Sequence, residues 1–396
     1  MPFTTNVDFE HRVHRQMASV GIIALESAKE LGEKVDKHLQ SFYQEKEPHP
    51  DEQHGDSSFL IDASCPRFQS GDGKGLINQS VRGLDLYILA DVGNYNCTYK
   101  MFGADTPMSP DDHFADIKRI IGAAAGKAYR ITVIMPFMYG ARQHRRSYRE
   151  SLDCAMALQE LQQMGVSSVL TFDAHDPRVV NAVPLMSFDS AMPYYQVLKA
   201  LFKRFPDLCI DKDSFMVVAP DEGAISRNVY FASTMGVDMG MYYKRRDYSR
   251  IVNGRNPIVA HEFLGNNVEG KNVMIYDDQI ASGDSMLDIA YDLKKRGANK
   301  IFCVATYALF TEGIDRFQKA YDDGILTAVL STNLTYRRPE LLAAPWYLEA
   351  DCSKYVAYFI ASLNHNMSVS AVLDPYERIQ KLLDSHRSKQ NDQIGL

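Results

Sequence analysis

Short apolar runs recur along the chain at regular intervals. "LDLYILADV" (84–92), "RITVIMPF" (130–137), "SSVLTFDAH" (167–175), "FMVVAPD" (215–221), "NVMIYDD" (272–278) and "KIFCVATYALF" (300–310) are rich in β-forming residues. Their near-continuous hydrophobicity, ending in several cases on a polar residue, predicts strands covered on both faces. Between them the period changes. In "SMLDIAYDLKKRG" the residues Met286, Ile289, Ala290 and Leu293 keep the i, i+3, i+4, i+7 spacing of one helix face, and Gly297 closes the element. "LDCAMALQELQQMG" (152–165) reads the same way. Strands alternating with helices predict an α/β protein built on parallel sheet wound on both faces.

The segments that start "LDCA" at 152 and "LDIA" at 287 each run helix, glycine, strand. This hints at an internal duplication and favours two tandem α/β domains joined near "SFDSAMP" (187–193). The expected division is 1–188, 189–365 and a C-terminal helical segment, 366–396, with the first domain as its candidate docking surface. Residues 41–58, "SFYQEKEPHPDEQHGDSS", are polar and rich in turn formers, so a flexible loop is expected there.

Composition narrows the function classes. With 396 residues, 45% hydrophobic and 23% charged, the chain fits an ordinary globular protein of about two domains. The formal net charge is −7, without a long block of one sign, which argues against nucleic acid as a partner and makes any anion site local. Cys65, Cys97, Cys154, Cys209, Cys303 and Cys352 lie far apart with no CxxC, suggesting neither a zinc site nor a disulfide framework. "MPFTTNVDFEHRVHRQ" lacks the apolar core of a signal peptide, and no run approaches membrane-spanning length. A reduced cytoplasmic protein with no membrane partner is expected.

The stretch "VMIYDDQIASGDS" (273–285) carries the clearest chemistry. A strand that delivers Asp277 and Asp278 and then turns into a helix creates a site at the carboxyl edge of a sheet. A helix beginning near Ser285 offers unpaired backbone N–H groups and its positive dipole end, which suit a phosphate. Ser282 and Ser285 add hydroxyl donors, and Gly283 lets the backbone approach. The two carboxylates can accept hydrogen bonds from vicinal sugar hydroxyls or hold magnesium through water. A sugar phosphate needs both ends. The competing reading is a strand end whose acids cap the next helix, with Asp284 or Ser285 as N-cap. "GNNVEGKN" (265–272) nearly matches GxxxxGK[ST], but Asn272 replaces the hydroxyl residue and the segment leads into a strand, so it is no phosphate loop.

The acid pair and turn resemble the phosphoribosyl-pyrophosphate signature shared by phosphoribosyltransferases and ribose-phosphate pyrophosphokinases. "RFQSGDG" (67–73) before "SVRGLDLYIL", then "YGARQHRR" (139–146), "FDAHD" (172–176), "VVAPDEGAISR" (217–227), "YYKRRD" (242–247) and "VEGKNVMIYDD" (268–278) follow in the order of the second group. From about residue 20 to 375 the chain resembles the ribose-phosphate pyrophosphokinase (PRPP synthetase) family, with a longer amino-terminal region. The resemblance implies two tandem phosphoribosyltransferase-like domains, each a mainly parallel sheet with helices on both faces. It implies transfer of the β,γ-diphosphoryl group of ATP to ribose 5-phosphate, chemistry that rests on positioning and charge neutralisation.

Site residues follow by the same resemblance. Lys244 and Arg246 reach the transferring phosphates, and "DYSRIVNGRNP" after them is a mobile loop. Arg246, Asp277, Asp278, Ala281, Ser282, Gly283, Asp284 and Ser285 bind ribose 5-phosphate. Arg142 and Gln143 contact ATP, while Phe68, Ser70 and Asp72 reach ATP in a neighbouring subunit. That implies self-association, as a hexamer or another dimer-based assembly. The implied cofactor is Mg2+, held by His175 and Asp221, with Asp173 as a further candidate.

Four positions depart from the family pattern. Ala281 stands where many members have an acid, Asp284 and Ala224 replace glycines, and His144 stands where Asp is usual. A carboxylate at 284 opposes a neighbouring phosphate unless its side chain turns away to cap the helix. Two rivals remain. A phosphoribosyltransferase would not require the "ARQ", "KRR" and "RFQSGDG" segments. A catalytically silent regulatory relative would tend to lose the cationic run, and Lys244, Arg245 and Arg246 are all present.

Overall fold

The structure, a computed structural model, describes residues 15–44, 57–246 and 258–394; the side chains of 244–246, 258–261 and 391–394 lie outside the description. The chain forms two compact units: one runs to Pro193 and includes 333–336 and 351–374, the other comprises 194–332, 337–350 and the residues from 375 on.

In chain order the first unit contains β1 (Val20–Ala24), α1 (Lys29–Gln44), β2 (Ala63–Ser64), β3 (Leu76–Ile77), β4 (Asp85–Leu89), β5 (Thr98–Met101), β6 (Ala104–Pro107), α2 (Pro110–Ala124), β7 (Arg130–Ile134), α3 (Asp153–Gln163), β8 (Ser168–Phe172) and β9 (Ser187–Ala191). Its main sheet has the order β1-β4-β7-β8-β9, every pair parallel. All five residues of β4 are buried, 86–89 as the apolar run requires and Asp85 as a charge at its start. Alternate residues leave opposite faces. Leu86, Ile88, Val133 and Val169 join Ile117 of α2 and Leu158 of α3 in one core. Tyr87 and Phe172 leave the other face, where the Tyr87 hydroxyl donates to the Ile360 carbonyl and the Phe172 and Phe359 rings lie 6.3 Å apart. Ser109 and Asp112 form a reciprocal capping box at the start of α2, with Pro110 in its first turn.

The second unit contains α4 (Tyr194–Arg204), β10 (Phe215–Ala219), α5 (Ile225–Met235), β11 (Asp238–Arg246), β12 (Ile258–Leu264), β13 (Asn272–Ile280), α6 (Asp284–Lys295), β14 (Ile301–Ala308), α7 (Asp315–Asp322), β15 (Ala328–Thr332), α8 (Pro339–Leu342) and β16 (Tyr347–Ala350). The order is β12-β11-β10-β13-β14-β15-β16, parallel except where β12 pairs antiparallel with β11. Val218, Ile275, Cys303 and Val329 pack with Ile289 and Leu293 of α6 and Phe317 of α7. On the other face Tyr276 meets Tyr194 of α4 and Phe231 of α5 edge-on. Trp346 is buried with its indole N–H donating to Gln318, so its polar group is satisfied.

Three segments follow: α9 (Ser353–Asn364), α10 (Ser370–Leu373) and α11 (Tyr376–Ile394). They correct the expected division. The first boundary falls at 193/194 and not 188/189, because β9 pairs with β8 and completes the first sheet. The stretch 351–374 returns to the first unit, where Phe42 of α1 stacks on Tyr358 of α9 at 4.8 Å. Asp85, fully buried, fixes this return: it pairs with Arg130 and accepts from Tyr87 and Asn364. Removing one partner of such a buried pair costs about 3–5 kcal/mol. Thr335 and the Tyr336 N–H donate to Asp91, which ties 333–336 to the same unit. In contrast α11 belongs to the second unit, where it packs on α4 and α5. His386 stacks on Phe202 at 3.9 Å, and Gln380 donates to the Thr234 carbonyl. The expected loop 41–58 is also corrected in part: residues 41–44 are the last turn of α1, and 45–56 lie outside the described residues.

The six strands expected from the apolar runs all form, and the two helix–glycine–strand units are α3–β8 and α6–β14, with Gly165 and Gly297 at φ +88° and +87°. Asp284 and Ser285 are not the N-cap of α6. Gly283 is, at φ +81°.

Candidate active site

In the second unit β13 runs on through Asp277 and Asp278 to Ile280, pairing Asp277 with Ala305 and Ile280 with Ala308 on β14. The acids are therefore successive strand positions, whose side chains leave opposite faces. The Asp277 side chain is 27% exposed, and Asp278 is buried. The Asp277 carboxyl is pushed up to about 7, chiefly by burial and then by the neighbouring Asp278 and Asp221, against the opposing pull of Arg227 and the Asp278 N–H. Arg227, from the first turn of α5, reaches Asp277 at 3.2 Å, and Asn228 donates to the Tyr276 carbonyl. Asp221 caps the short 3-10 turn after β10, where its Oδ1 accepts from the N–H groups of Gly223 and Ala224. Ala224, in place of the family's glycine, is buried within that turn.

Beyond Ile280 the turn Ala281–Gly283 leads into α6. A Cβ on Gly283 would fall 2.3 Å from the Phe317 ring, so α7 packs against the turn and only glycine fits there. The turn is also fixed to the loop after β14, since Thr311 N–H donates to the Ala281 carbonyl. Ala281, Ser282, Asp284 and Ser285 are half-buried at the head of α6, which is where a helix offers N–H groups to an anion. Asp284 does not cap the helix. Its carboxylate forms an ion pair with Arg316 of α7.

In the first unit the loop after β7 holds Arg142, exposed, and Gln143. The Gln143 amide donates to the Ser151 carbonyl at 2.8 Å. Next to it His144 places Nδ1 3.2 Å from the Ala141 carbonyl and Nε2 3.3 Å from Asp176. Its ring lies 5.4 Å from that of His175. Hydrogen bonds from Arg178 hold the Asp176 carboxyl down at about 2. Asp173 is buried at φ +38°, a left-handed position that an Asp tolerates better than most residues. The structure thus brings His144, His175 and Asp176 together after β7 and β8. "RFQSGDG" forms a separate tight turn. Phe68 N–H donates to Asp72, the Ser70 hydroxyl to the Asp72 carboxylate, and Phe68 is 56% exposed. The β5–β6 hairpin braces this turn, with Phe102 N–H donating to Gln69 and Arg67 over the Tyr99 ring.

Lys244 and Arg246 lie at the end of β11, where the ladder with β12 shifts register between Arg245 and Arg246. Their side chains, and the expected mobile loop 247–257, lie outside the description. Lys271 of the rejected phosphate-loop match sits at the start of β13, donating to the Lys212 carbonyl. Among the described residues no three His, Cys, Asp or Glu side chains converge closely enough to hold a metal ion by themselves. The carboxylates around Asp277 and Asp221 still suit a hard cation such as magnesium, which is commonly held by one or two protein ligands with the remainder from phosphate and water. Sequence reasoning assigned no role to Arg227 or Arg316. Arg227 closes the "VVAPDEGAISR" motif and its position offered a signal; Arg316 offered none.

Comparison with known proteins gives these segments a common origin. The N-terminal domain of ribose phosphate pyrophosphokinase matches residues 20–165, and the phosphoribosyl transferase domain matches 190–336. A ribose-phosphate pyrophosphokinase of Vibrio cholerae is 27% identical over 321 residues, covering 80% of this chain and 92% of the relative. That of Pasteurella multocida is 28% identical over 320 residues, covering 79% and 91%. The phosphoribosylpyrophosphate synthetase of Mycobacterium smegmatis shares the fold at a TM-score of 0.68 and 18% identity, covering 88% of this chain and 99% of its own. Among the described residues no helix is long and apolar enough to cross a membrane. Two adjoining domain matches in the family's order, each carrying its own motifs, settle the ancestry: the chain belongs to the ribose-phosphate pyrophosphokinase family.

Proposed function

We propose that the chain transfers the β,γ-diphosphoryl group of ATP to O1 of ribose 5-phosphate, releasing AMP and forming phosphoribosyl pyrophosphate. The observation that carries this reading is the strand–turn–helix of the second unit, with Asp277 and Asp278 before a Gly283 turn at the head of α6. Asp277, the more exposed of the two acids, accepts hydrogen bonds from the ribose hydroxyls, and Asp278 supplies the second carboxylate of the motif from its buried position. Ser282, Ser285 and the α6 amides hold the 5-phosphate, with the backbone of Ala281, Gly283 and Asp284 shaping the turn.

The anomeric oxygen forms a bond to the β-phosphorus, the bond from that phosphorus to the α,β-bridging oxygen breaks, and the hydroxyl proton passes to solvent. Lys244 and Arg246 stabilise the charge that develops on the transferring phosphates. Arg142 and Gln143 orient the nucleotide, and Phe68, Ser70 and Asp72 close the nucleotide pocket of a second copy. Phe68 supplies an exposed ring for that role. His175 and Asp173 in the first unit, and Asp221 in the second, are the residues that would offer ligands to magnesium, and the bound ion would neutralise phosphate charge. A cytoplasmic location accords with this chemistry.

The test is to incubate the pure protein with ATP, magnesium and ribose 5-phosphate and identify the nucleotide product. AMP, formed only with both sugar phosphate and divalent cation present, is expected. ADP as the stoichiometric product would sink the assignment.

A further inference from the structure

The ion pair between Asp284 and Arg316 changes what the turn at the head of α6 can do. Asp284 occupies the first position of α6, where a carboxylate is favoured by the helix dipole and competes with any phosphate for the same N–H groups. In this fold the competitor is neutralised from outside the motif. The face of α7 is pressed against the turn, with the Phe317 ring filling the space that a side chain on Gly283 would need. Arg316 precedes Phe317, and its Nη1 meets Asp284 Oδ1 while Glu312 lies 3.9 Å from the same nitrogen. The Arg316 side chain remains 52% exposed. A guanidinium carries five N–H donors in a planar fork, more than one carboxylate oxygen can take up.

We propose that Arg316 is a ligand of the sugar 5-phosphate, held at the turn by Asp284 and Phe317. This rests on the reading of the turn as the 5-phosphate site. Asp284 thereby serves as an orienting carboxylate: it holds beside the turn a cation with donors left for the phosphate, and the pair adds no net charge to the turn. The site gains a bidentate partner that the acid–turn motif lacks.

The discriminating experiment is a mutant cycle on the full chain, with KM for ribose 5-phosphate, KM for ATP and kcat measured for each protein. Arg316→Met should raise KM for ribose 5-phosphate roughly tenfold, the lower end expected for a charge-assisted hydrogen bond at a partly exposed position. Its KM for ATP and its kcat should stay within about twofold, and Arg316→Lys should recover part of the loss. Asp284→Asn should change KM for the sugar only a few-fold, because Arg316 remains.

The double variant Asp284→Asn/Arg316→Met decides the role. If Arg316 touches the phosphate, the double variant stays about tenfold weaker than Asp284→Asn alone. Full recovery in the double variant, or an unchanged KM in Arg316→Met, would reduce Arg316 to a counter-ion and overturn the proposal. A wild-type protein with no ribose 5-phosphate-dependent product would overturn the functional reading itself, a result distinct from either.

Discussion

In the second unit the acid pair, the glycine turn and the helix head of the sugar-phosphate motif sit on one continuous strand, turn and helix, 272–295. In the first the candidate ligand groups come from three separated stretches, 67–73, 139–146 and 172–178. The two regions also treat their carboxylates in opposite ways. Asp277 is half-buried beside Asp278 and Asp221 and pushed up to about 7, with Arg227 and the Asp278 N–H drawing it down. Asp176 accepts hydrogen bonds from Arg178 and lies near His144, and is held down at about 2. An acid kept uncomfortable, with like charges around it, gains most from an arriving ligand that donates hydrogen bonds or brings a cation. An acid already satisfied serves to position its neighbours, here His144 and the loop that bears Arg142 and Gln143. Under the proposed function, the contrast favours substrate contact for the crowded acids and scaffolding for the paired one.

The largest effect should come from neither region. Lys244→Ala should lower kcat by roughly 10³-fold or more while ribose 5-phosphate binding stays within a few-fold, because its contact strengthens as charge develops on the phosphates. Steady-state kinetics with a separate sugar titration checks this. A near-normal kcat would make Lys244 a surface cation and leave the acids to account for catalysis alone.

Next in size is Asp277→Asn, which keeps shape and removes charge. A charge-assisted hydrogen bond contributes about 1.5–3 kcal/mol, so ribose 5-phosphate should bind roughly 10- to 150-fold more weakly in a calorimetric titration. ATP binding should change little. Equal losses for both ligands would erase the division of labour between the two units.

A smaller effect sharpens the comparison through pH. With its folded value raised to about 7, Asp277 gains a proton as pH falls through 7, and sugar affinity should fall with it. The linkage to stability has the opposite slope. A carboxyl that binds its proton more tightly in the folded state than at its unfolded value of about 3.9 makes stability decline as pH rises from about 4 to 7. Asp176 behaves the other way: its stabilisation is full above about pH 4 and is lost only as pH drops toward 2. Thermal melts of metal-free protein across this range should show the decline between pH 4 and 7, and Asp277→Asn should flatten it. An unchanged slope in that variant would place the pH dependence elsewhere.

These differences explain what the sequence could disclose. The second region was legible because acid pair, glycine turn and helix start follow one another in the chain, so spacing alone places them at one sheet edge. The helix starts where expected, near Ser285, but the capping alternative does not hold. Asp284 looked like a cap, but its carboxylate pairs with Arg316, a residue from α7 that no local pattern connects to it. The first region gave up its residue types but not their contacts: His144 reads as a departure from the family until the fold sets it between Ala141 and Asp176. The domain division failed for a similar reason. The 351–374 stretch follows the second sheet in sequence, yet Asp85, Arg130 and Asn364 recruit it to the first by a buried network of long-range partners.

The most direct test of the account follows the phosphorus atoms. ATP labelled at the β-phosphorus should be supplied with magnesium and ribose 5-phosphate, and the sugar product isolated. The account predicts that the β-label moves to the sugar in a one-to-one ratio with AMP formed. Label retained on a nucleoside diphosphate, with only the γ-phosphorus reaching the sugar, would contradict it.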